Sequence, residues 1–308
     1  MFSALKLPSF AKINWQLSVL GRRTDGFHEL RTIFQTITLH DELTFAERAD
    51  GRLQLTCDAP EIPVDERNLI YRAASQLKER YVLPDKGAEI HLEKHIPAQS
   101  GLGGGSSNAA VTLLALDVLW NLKLSKDELC AIGARLGADV PFFFTGGTAL
   151  GTGLGDEITP VPEVSAEHLL IVTPEAKVAT AEAYRALNAP ALTKPLSDTI
   201  LAISRADEHF ADSFPEALHN DFERVTFELK PEVEQVKKAL VLCGARQALM
   251  TGSGSSIFGI FENQEAQERA AERLKAETQW RVFSCSTLSR AQYAQALGAC
   301  AAPVEALL

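Results

Sequence analysis

The segment from Pro97 to Asn108 crowds glycines and hydroxyl side chains into one short stretch. Glycine has no Cβ atom, so its backbone can adopt positive φ angles and approach a ligand closely. The residues that follow predict a helix that opens between Ser106 and Asn108, because apolar side chains recur at three- and four-residue spacing. Its predicted apolar stripe consists of Val111, Leu114, Ala115, Val118, Leu119 and Leu122. A helix N-terminus offers N–H groups and a partial positive charge, so loop and helix together predict a phosphate-binding site.

Two common glycine signatures do not fit this loop. A Walker A loop needs a lysine directly before Ser or Thr, whereas Ser106 follows Gly105. The dinucleotide fingerprint G-x-G-x-x-G needs a glycine where this chain has Ser106. The alternative to a phosphate site is a flexible Gly/Ser linker. We favour phosphate binding because linkers do not usually run directly into a strongly amphipathic helix.

Two charged residues lie in surroundings that are otherwise apolar or β-rich. Lys12 belongs to a strand predicted over residues 7–20 and lies on the face opposite Ile13 and Trp15. The alternative is an ordinary solvated lysine. Asp139 lies between alanine, valine and three phenylalanines, where a partly desolvated carboxylate needs a charge partner or a role. The spacing is equally compatible with an aspartate that caps a helix or forms a turn.

The composition bounds the class of protein. The chain has 308 residues and a formal net charge of −10, which suits one large or two ordinary globular domains. Lysine and arginine form no block, which argues against broad nucleic-acid binding. No apolar run approaches the ~20 residues that cross a bilayer, and the N-terminus lacks a secretory signal pattern. The five cysteines are scattered and never form C-x-x-C, which predicts reduced thiols in a cytoplasmic protein and neither a disulfide framework nor a zinc site.

The order of elements predicts an α+β protein with two lobes, divided near Pro160 into domains at 1–160 and 161–308. Further predicted strands cover 31–39, 42–45, 53–56, 88–94, 168–173 and 280–284, with a strand, a turn and a strand over 248–261. Further predicted helices cover 68–81, 126–136, 179–187, 197–209, 216–227, 230–242 and 266–277. Ser125 and Glu128 predict a capping box. Pro141 predicts an extended Val140, and the glycines from 145 to 155 predict strands that turn tightly.

Two motifs resemble those of the GHMP small-molecule kinases. Residues 97–107 match the pattern P-x-x-x-G-L-G-[GS]-[GS]-S-[SA] of that family throughout, and Gly252 to Gly254 match its third, glycine-rich motif. The resemblance implies a two-domain α+β fold. Its N-terminal domain would bind ATP on a β-α-β core like that of ribosomal protein S5, and its C-terminal domain would bind the substrate.

Three segments resemble one branch of this family, which phosphorylates the 2-hydroxyl of a cytidine diphosphate derivative of methylerythritol in isoprenoid precursor synthesis. They are Ala11 to Asn14, Arg23 to Leu30 and Gly137 to Phe142. The likeness covers nearly the whole chain and weakens between 185 and 245. The branch usually has tyrosine where this chain has Phe27, so an aromatic ring is kept and a hydroxyl is lost.

The resemblance implies a role for each matching residue. Lys12 and Asp139 match the catalytic pair. The implied nucleotide-binding residues are Lys94, Pro97, Ala98, Gln99, Ser100, Gly101, Leu102, Gly103, Gly104, Gly105, Ser106, Ser107 and Asn108. The implied substrate-side residues are Asn14, Phe27, His28, Thr180, Tyr184, Gly252, Ser253 and Gly254. The implied cofactors are ATP and Mg²⁺ carried mainly by the nucleotide, without a dedicated protein metal site. We expect a monomer or weak homodimer that binds neither nucleic acid nor membrane.

These residue types suit phosphoryl transfer, which needs positioning and charge neutralisation rather than covalent chemistry by the protein. Asp139 can accept the proton of the attacking hydroxyl, and Lys12 can keep Asp139 ionised and face the developing negative charge. Three alternatives remain open at this point. They are a related kinase acting on homoserine or a mevalonate derivative, a dinucleotide-dependent oxidoreductase, and a nucleotide-binding protein without catalysis, in which Lys12 and Asp139 are dispensable.

Overall fold

Two β-sheets form the frame of the protein. The computed structural model describes residues 4–192 and 214–307, so the helix predicted over 197–209 lies outside the described residues. The first sheet contains β1 (Leu5–Arg22), β2 (His28–Arg48), β3 (Leu53–Cys57), β4 (Gly87–Glu93), β5 (Thr148–Thr152), β6 (Glu157–Pro160) and β8 (His219–Asn220). The second sheet contains β7 (Leu169–Thr173), β9 (Gln247–Met250), β10 (Ile257–Ile260) and β11 (Arg281–Cys285). The α+β class is therefore confirmed.

Helices cover these sheets and connect their strands. They are α1 (Leu69–Arg80), α2 (Gly104–Trp120), α3 (Lys126–Leu136), α4 (Thr180–Leu187), α5 (Phe222–Leu229), α6 (Pro231–Leu242), α7 (Gln264–Glu277), α8 (Arg290–Leu297) and α9 (Ala302–Glu305), with 3-10 turns at Pro141–Phe144 and Gly298–Cys300. The predicted capping box of α3 is confirmed, since Ser125 and Glu128 each accept from the other's backbone N–H. In the described ranges no helix combines the length and apolarity that crossing a membrane requires.

The two long strands β1 and β2 pair antiparallel over most of their length. The sequence predicts two separate runs at 31–39 and 42–45, whereas β2 is continuous. Its two halves have different neighbours, since residues 32–35 pair with β5 and residues 42–48 pair with β4. The register between β1 and β2 shifts between Phe10 and Lys12 and again between Asn14 and Gln16. Such bulges redirect side chains, and these two flank Lys12 and Asn14.

The helix after the glycine loop, α2, is buried nearly all round. It packs against β1, β2, α1 and α3, and every residue from Ser107 to Leu116 is buried. The predicted single stripe is therefore wrong at its end, because Val118 is 42% exposed and Leu122 lies beyond the helix. A helix enclosed between a sheet and other helices needs apolar residues on all sides, so its sequence has no clear polar face.

The three phenylalanines beside Asp139 form a buried 3-10 turn. Val140 has φ −62° and ψ −43°, so the extended conformation predicted from Pro141 is wrong. The helical conformation before proline is disfavoured but accessible. Here it places the rings of Phe142, Phe143 and Phe144 in the core, where none is exposed to solvent. Burial of three aromatic side chains outweighs the local preference.

A correction also concerns the helix predicted over 216–227, which begins only at Phe222. His219 and Asn220 instead form a short strand parallel to β1. The Asn220 amide donates to the carbonyl oxygens of Met250 and Gly252, and the Asp221 carboxylate accepts from the Val19 N–H. These bonds to distant residues hold the segment extended against its helical pattern.

The two sheets share an apolar cluster. Ile13 and Trp15 of β1 lie in the same buried cluster as Leu169 and Phe258 of the second sheet. The first sheet's β6 ends at Pro160 and the second sheet begins at Leu169. The domain division at 160/161 stays a prediction.

Candidate active site

The glycine loop approaches the turn at residues 251–254 closely. Gln99, Gly101 and Gly103 have positive φ angles of 57°, 81° and 68°. A Cβ atom on Gly101 would overlap the carbonyl oxygen of Thr251, so only glycine fits there. The Ser256 N–H also donates to the Ser100 carbonyl oxygen at 3.0 Å. Two segments about 150 residues apart in the chain are thus fixed against each other.

The N-terminus of α2 begins two residues earlier than predicted, at Gly104. The N–H groups of Gly104, Gly105 and Ser106 lie in the first helical turn, where an α-helix provides no acceptors. The Ser107 N–H already donates to the Gly103 carbonyl oxygen at 2.9 Å. The donors that an anion can reach are therefore those of residues 104–106.

The side chains of Ser107 and Asn108 turn into the core. The Ser9 hydroxyl lies 2.8 Å from the Ser107 hydroxyl and 2.7 Å from Asn108 Oδ1, and all three residues are buried. These contacts fasten β1 to the first turn of α2. The two side chains support the loop from behind, and nucleotide contact by Ser107 and Asn108 stays a prediction.

Lys12 is a buried cation that contacts a carboxylate, an amide oxygen and an aromatic ring. Its ammonium is 3.3 Å from Asp139 Oδ2, 2.8 Å from Asn14 Oδ1 and 5.3 Å from the centre of the Phe34 ring. The side chain is 3% exposed, so the interpretation as a solvated strand lysine is wrong. Its stem lies where a Cβ on Gly103 would be, with Lys12 Cγ 2.9 Å from that position. The glycine loop thus covers the lysine.

Asp139 lies between α3 and the 3-10 turn, with one third of its side chain exposed. It lines the same cleft as Lys12 and Gly103. The 3-10 turn has no side-chain capping bond, which disfavours the capping alternative. A carboxylate held by a buried ammonium and open to a cleft can accept a proton from a bound ligand.

Asn14 connects the Lys12 ammonium to the 251–254 turn. Its Oδ1 accepts from Lys12 Nζ, from the Thr251 hydroxyl at 3.1 Å and from the Gly252 N–H at 2.9 Å, and its Nδ2 donates to the Thr32 hydroxyl at 2.7 Å. The residue is 2% exposed, and both the oxygen and the nitrogen of its amide have protein partners. These contacts suit a role of Asn14 in orienting the Lys12 ammonium. The sequence pattern gave no signal for Thr32, whereas Thr251 directly precedes the glycine-rich motif at 252–254.

A cleft of about 660 Å³ extends from the Lys12–Asp139 pair to residues of the segments 177–184 and 252–254. Its polar end contains Lys12, Asp139 and the glycine loop. Across the cleft the Thr180 and Ser253 hydroxyls are 3.1 Å apart. The lining residues are Lys12, Asn14, Leu17, Leu30, Thr32, Phe34, Gln99, Gly101, Gly103, Asp139, Leu154, Gly155, Lys177, Val178, Ala179, Thr180, Ala181, Glu182, Tyr184, Phe222, Gly252, Ser253 and Gly254.

An aromatic stack borders the far end of the cleft, where Tyr184 and Phe222 belong to the lining and His28 lies outside it, against Tyr184. The rings of His28 and Tyr184 are 4.8 Å apart at 30°, and Phe222 meets Tyr184 edge-on at 4.8 Å and 78°. Burial and then the Arg22 charge lower the pKa of His28, which favours a neutral imidazole. Burial and then Asp139 raise the pKa of Tyr184 to about 12. Phe222 was missed by the sequence analysis, since an aromatic residue on a helix is ordinarily a core residue.

Phe27 does not join this stack. Its ring is 61% exposed and lies outside the cleft lining. Its N–H donates to the Asp25 carboxylate at 3.0 Å, so the residue is part of the turn before β2. The structure therefore brings Thr180 and Tyr184 of the predicted substrate side to the cleft, places His28 against Tyr184 outside the lining, and leaves Phe27 apart.

Lys94, which the sequence analysis assigned to nucleotide binding, has a side chain that is only 9% exposed. Its ammonium is 2.6 Å from Asp41 Oδ2, and it lies beside Gly104. Burial lowers the pKa of Lys94, and the Asp41 charge acts in the opposite direction. Nothing in the local sequence around Asp41 pointed to this contact.

Comparison with known proteins identifies the class to which this fold and site belong. Residues 68–147 match the family described as GHMP kinases N terminal domain, and residues 202–278 match GHMP kinases C terminal. A solved homoserine kinase from Cytophaga hutchinsonii covers 94% of this chain and 96% of its own, with 22% identity and a TM-score of 0.68, and so shares the fold. Fold and motifs are thus those of a GHMP kinase.

Closer relatives define the branch. A 4-diphosphocytidyl-2-C-methyl-D-erythritol kinase of Moorella thermoacetica is 42% identical over 88% of this chain and 95% of its own length. That of Solibacter usitatus is 42% identical over 93% and 90%. A solved 4-(cytidine 5'-diphospho)-2C-methyl-D-erythritol kinase is 36% identical over 92% and 99%, with a TM-score of 0.73. The chain belongs to the 4-diphosphocytidyl-2-C-methyl-D-erythritol kinase family and is a small-molecule kinase.

Proposed function

We propose that the protein transfers the γ-phosphoryl group of ATP to the 2-hydroxyl of 4-(cytidine 5'-diphospho)-2-C-methyl-D-erythritol, a step in non-mevalonate isoprenoid precursor synthesis. The observation that carries the proposal is the placement of the Lys12–Asp139 pair. It lies between the glycine loop at one end of the cleft and Tyr184, on which His28 stacks, at the other. An alcohol held between these ends would meet the carboxylate and the phosphate tail together.

In the proposed step the substrate oxygen attacks the γ-phosphorus, the bond from that phosphorus to the bridging oxygen breaks, and ADP leaves. The Asp139 carboxylate accepts the hydroxyl proton. The Lys12 ammonium faces the carboxylate at 3.3 Å and offsets negative charge on the moving phosphoryl group. Asn14 and Phe34 hold that ammonium in place. The N–H groups of residues 104–106 bind the phosphate oxygens.

We propose Mg²⁺ as the metal that accompanies the nucleotide. When bound, it would neutralise phosphate charge and orient the oxygens for in-line transfer. The partly exposed Asp139 carboxylate is the type of ligand that Mg²⁺ prefers. Among the described residues no group of three or more His, Cys, Asp and Glu side chains could hold a metal by itself. This supports a site shared with phosphate oxygens.

The cytidine would lie at the aromatic end. A cytosine ring can stack against His28 and Tyr184, while the Thr180 and Ser253 hydroxyls offer hydrogen bonds to its polar edge or sugar. We propose a cytoplasmic monomer or weak homodimer, which the dispersed cysteines and the net charge of −10 support.

A substrate panel tests the proposed function. With ATP and Mg²⁺, the coupled release of ADP is measured for the cytidyl methylerythritol, homoserine, mevalonate and phosphomevalonate. We expect kcat/KM for the first compound to be at least about a hundredfold above that for the others. The other alcohols carry no base, so they would leave the polar groups at the aromatic end of the cleft unpaired. Comparable turnover of homoserine or mevalonate would replace this function by that of another GHMP kinase.

His28→Ala tests the aromatic end. We expect KM for the cytidyl substrate to rise about tenfold, because one stacking face is lost. KM for ATP should change by less than about twofold, since the glycine loop is at the other end of the cleft. Steady-state kinetics with each substrate varied separately gives both constants. His91→Ala, a histidine on β4 away from the cleft, is the matched control, and equal effects of His28→Ala on both KM values would contradict the placement.

A further inference from the structure

We propose that Asp41 is a positioning residue for the nucleotide. Its buried carboxylate fixes both the Lys94 ammonium and the main chain that leads into the glycine loop. The inference rests on the proposed function in one respect, namely that this loop binds the nucleotide. Asp41 itself is too far inside the protein to touch a ligand, because its side chain is 0% exposed.

The position of Asp41 follows from where two strands separate. The ladder between β2 and β4 begins with the pair Glu42–Glu93. One residue further, β4 has ended and the chain turns away towards Pro97. The backbone donors of His95 and Ile96 then need acceptors other than a strand. Asp41 Oδ1 supplies them, accepting from the His95 N–H at 2.8 Å and the Ile96 N–H at 2.7 Å.

The second carboxylate oxygen of Asp41 binds the lysine. Asp41 Oδ2 is 2.6 Å from Lys94 Nζ, and only 9% of the lysine side chain is exposed. An ammonium in such surroundings is costly without an opposite charge, so the carboxylate determines where it resides. Every polar atom of the Asp41 side chain is therefore committed to residues 94–96.

The same three-residue segment contacts the start of α2. A Cβ on Gly104 would lie 3.0 Å from Ile96 Cγ2 and 3.2 Å from Lys94 Nζ. Gly104 is the first residue of α2, whose first-turn N–H groups are the proposed phosphate donors. A shift of Lys94 or Ile96 would thus move the ammonium relative to those donors. This is how a carboxylate on β2 can act on the nucleotide without contacting it.

Asp41→Asn separates this role from simple packing. The asparagine oxygen can still accept from both N–H groups, but its amide then points two donors at the Lys94 ammonium. We expect the Kd for ADP, measured by calorimetry, to rise about tenfold. The reason is that the charged contact between Asp41 and Lys94, which positions the ammonium, is lost. The Kd for CDP should stay within about twofold, because the aromatic end is not touched. Glu29→Gln is the matched control, since Glu29 is a buried β2 carboxylate paired with Arg23 and should leave the Kd for ADP unchanged.

A double-mutant cycle with Lys94→Met decides between positioning and general support. If Asp41 acts through Lys94, adding Asp41→Asn to Lys94→Met changes the Kd for ADP by less than about twofold. The double variant removes both buried charges, so it should fold even where Asp41→Asn alone does not. The proposal is overturned if Asp41→Asn binds ADP as the wild type does, if it weakens ADP and CDP alike, or if it has the same cost in both backgrounds. A wild type that binds ADP but phosphorylates none of the alcohols would end the proposed function and leave this comparison intact.

Discussion

Asp139→Asn is expected to lower kcat by about three orders of magnitude, because a positioned general base contributes roughly 10²- to 10⁴-fold. The amide keeps the size of the carboxylate but cannot take the hydroxyl proton. It also removes the charge that faces Lys12 at 3.3 Å. KM for ATP should change little, since the proposed phosphate donors belong to the glycine loop and not to Asp139. Steady-state kinetics by ADP release measures both quantities.

Asp127→Asn is the control for that substitution. Asp127 is exposed in the first turn of α3, the helix that precedes Asp139. Its replacement by asparagine makes the same change of charge away from the cleft. It should leave kcat within about twofold, as exposed substitutions usually do. Circular dichroism of both variants should match the wild type because Asp139 is partly exposed. Near-wild-type kcat for Asp139→Asn would remove this residue from the mechanism.

Lys12→Met is expected to lower kcat by about two to three orders of magnitude, the usual loss when a preorganised charge at the reacting group is removed. Methionine fills much of the space of the lysine stem that lies against Gly103. The loss should therefore come from the missing ammonium. Asn14 would keep its bonds from Thr251 and Gly252, so the 251–254 turn should stay in place.

Two comparisons sharpen the Lys12 experiment. Lys6→Met makes the same change on the same strand, at a side chain that is half exposed and paired with Glu42, and should leave kcat unaltered. Lys12→Arg keeps the charge, but its planar group cannot reproduce a point contact to both Asp139 and Asn14, so only part of the activity should return. Activity of Lys12→Met equal to that of Lys6→Met would show that the buried ammonium is dispensable.

The parts of the fold that the sequence predicts well are those governed by local rules. The capping box at Ser125 depends on neighbours in the chain, and it is observed. The glycine loop was recognisable because the positive φ angles at Gly101 and Gly103 restrict the residue type. Lys12 and Asp139 stood out because each is a charged residue in an apolar setting.

The errors concern residues whose conformation depends on distant partners. Asn220 is extended because it bonds to Met250 and Gly252, and α2 lacks a polar face because it is enclosed on all sides. Asp41 gave no signal because its partners are more than fifty residues away in the chain. Substrate contact by Asn14 stays a prediction, whereas the contacts of its amide with Lys12, Thr32 and the 251–254 turn could not be read from the sequence. Such contacts are visible only once the sheets have assembled.

The most direct test is the phosphorus-31 spectrum of the product that the wild type forms from ATP and 4-(cytidine 5'-diphospho)-2-C-methyl-D-erythritol. Position 2 of this alcohol is a tertiary carbon without a hydrogen atom. A cleft that presents the 2-hydroxyl to Asp139 therefore predicts a new phosphomonoester signal without three-bond coupling to a proton, in an amount equal to the ADP released. A doublet or triplet, which would place the phosphate on position 3 or 1, or the absence of any new signal, would contradict this assignment.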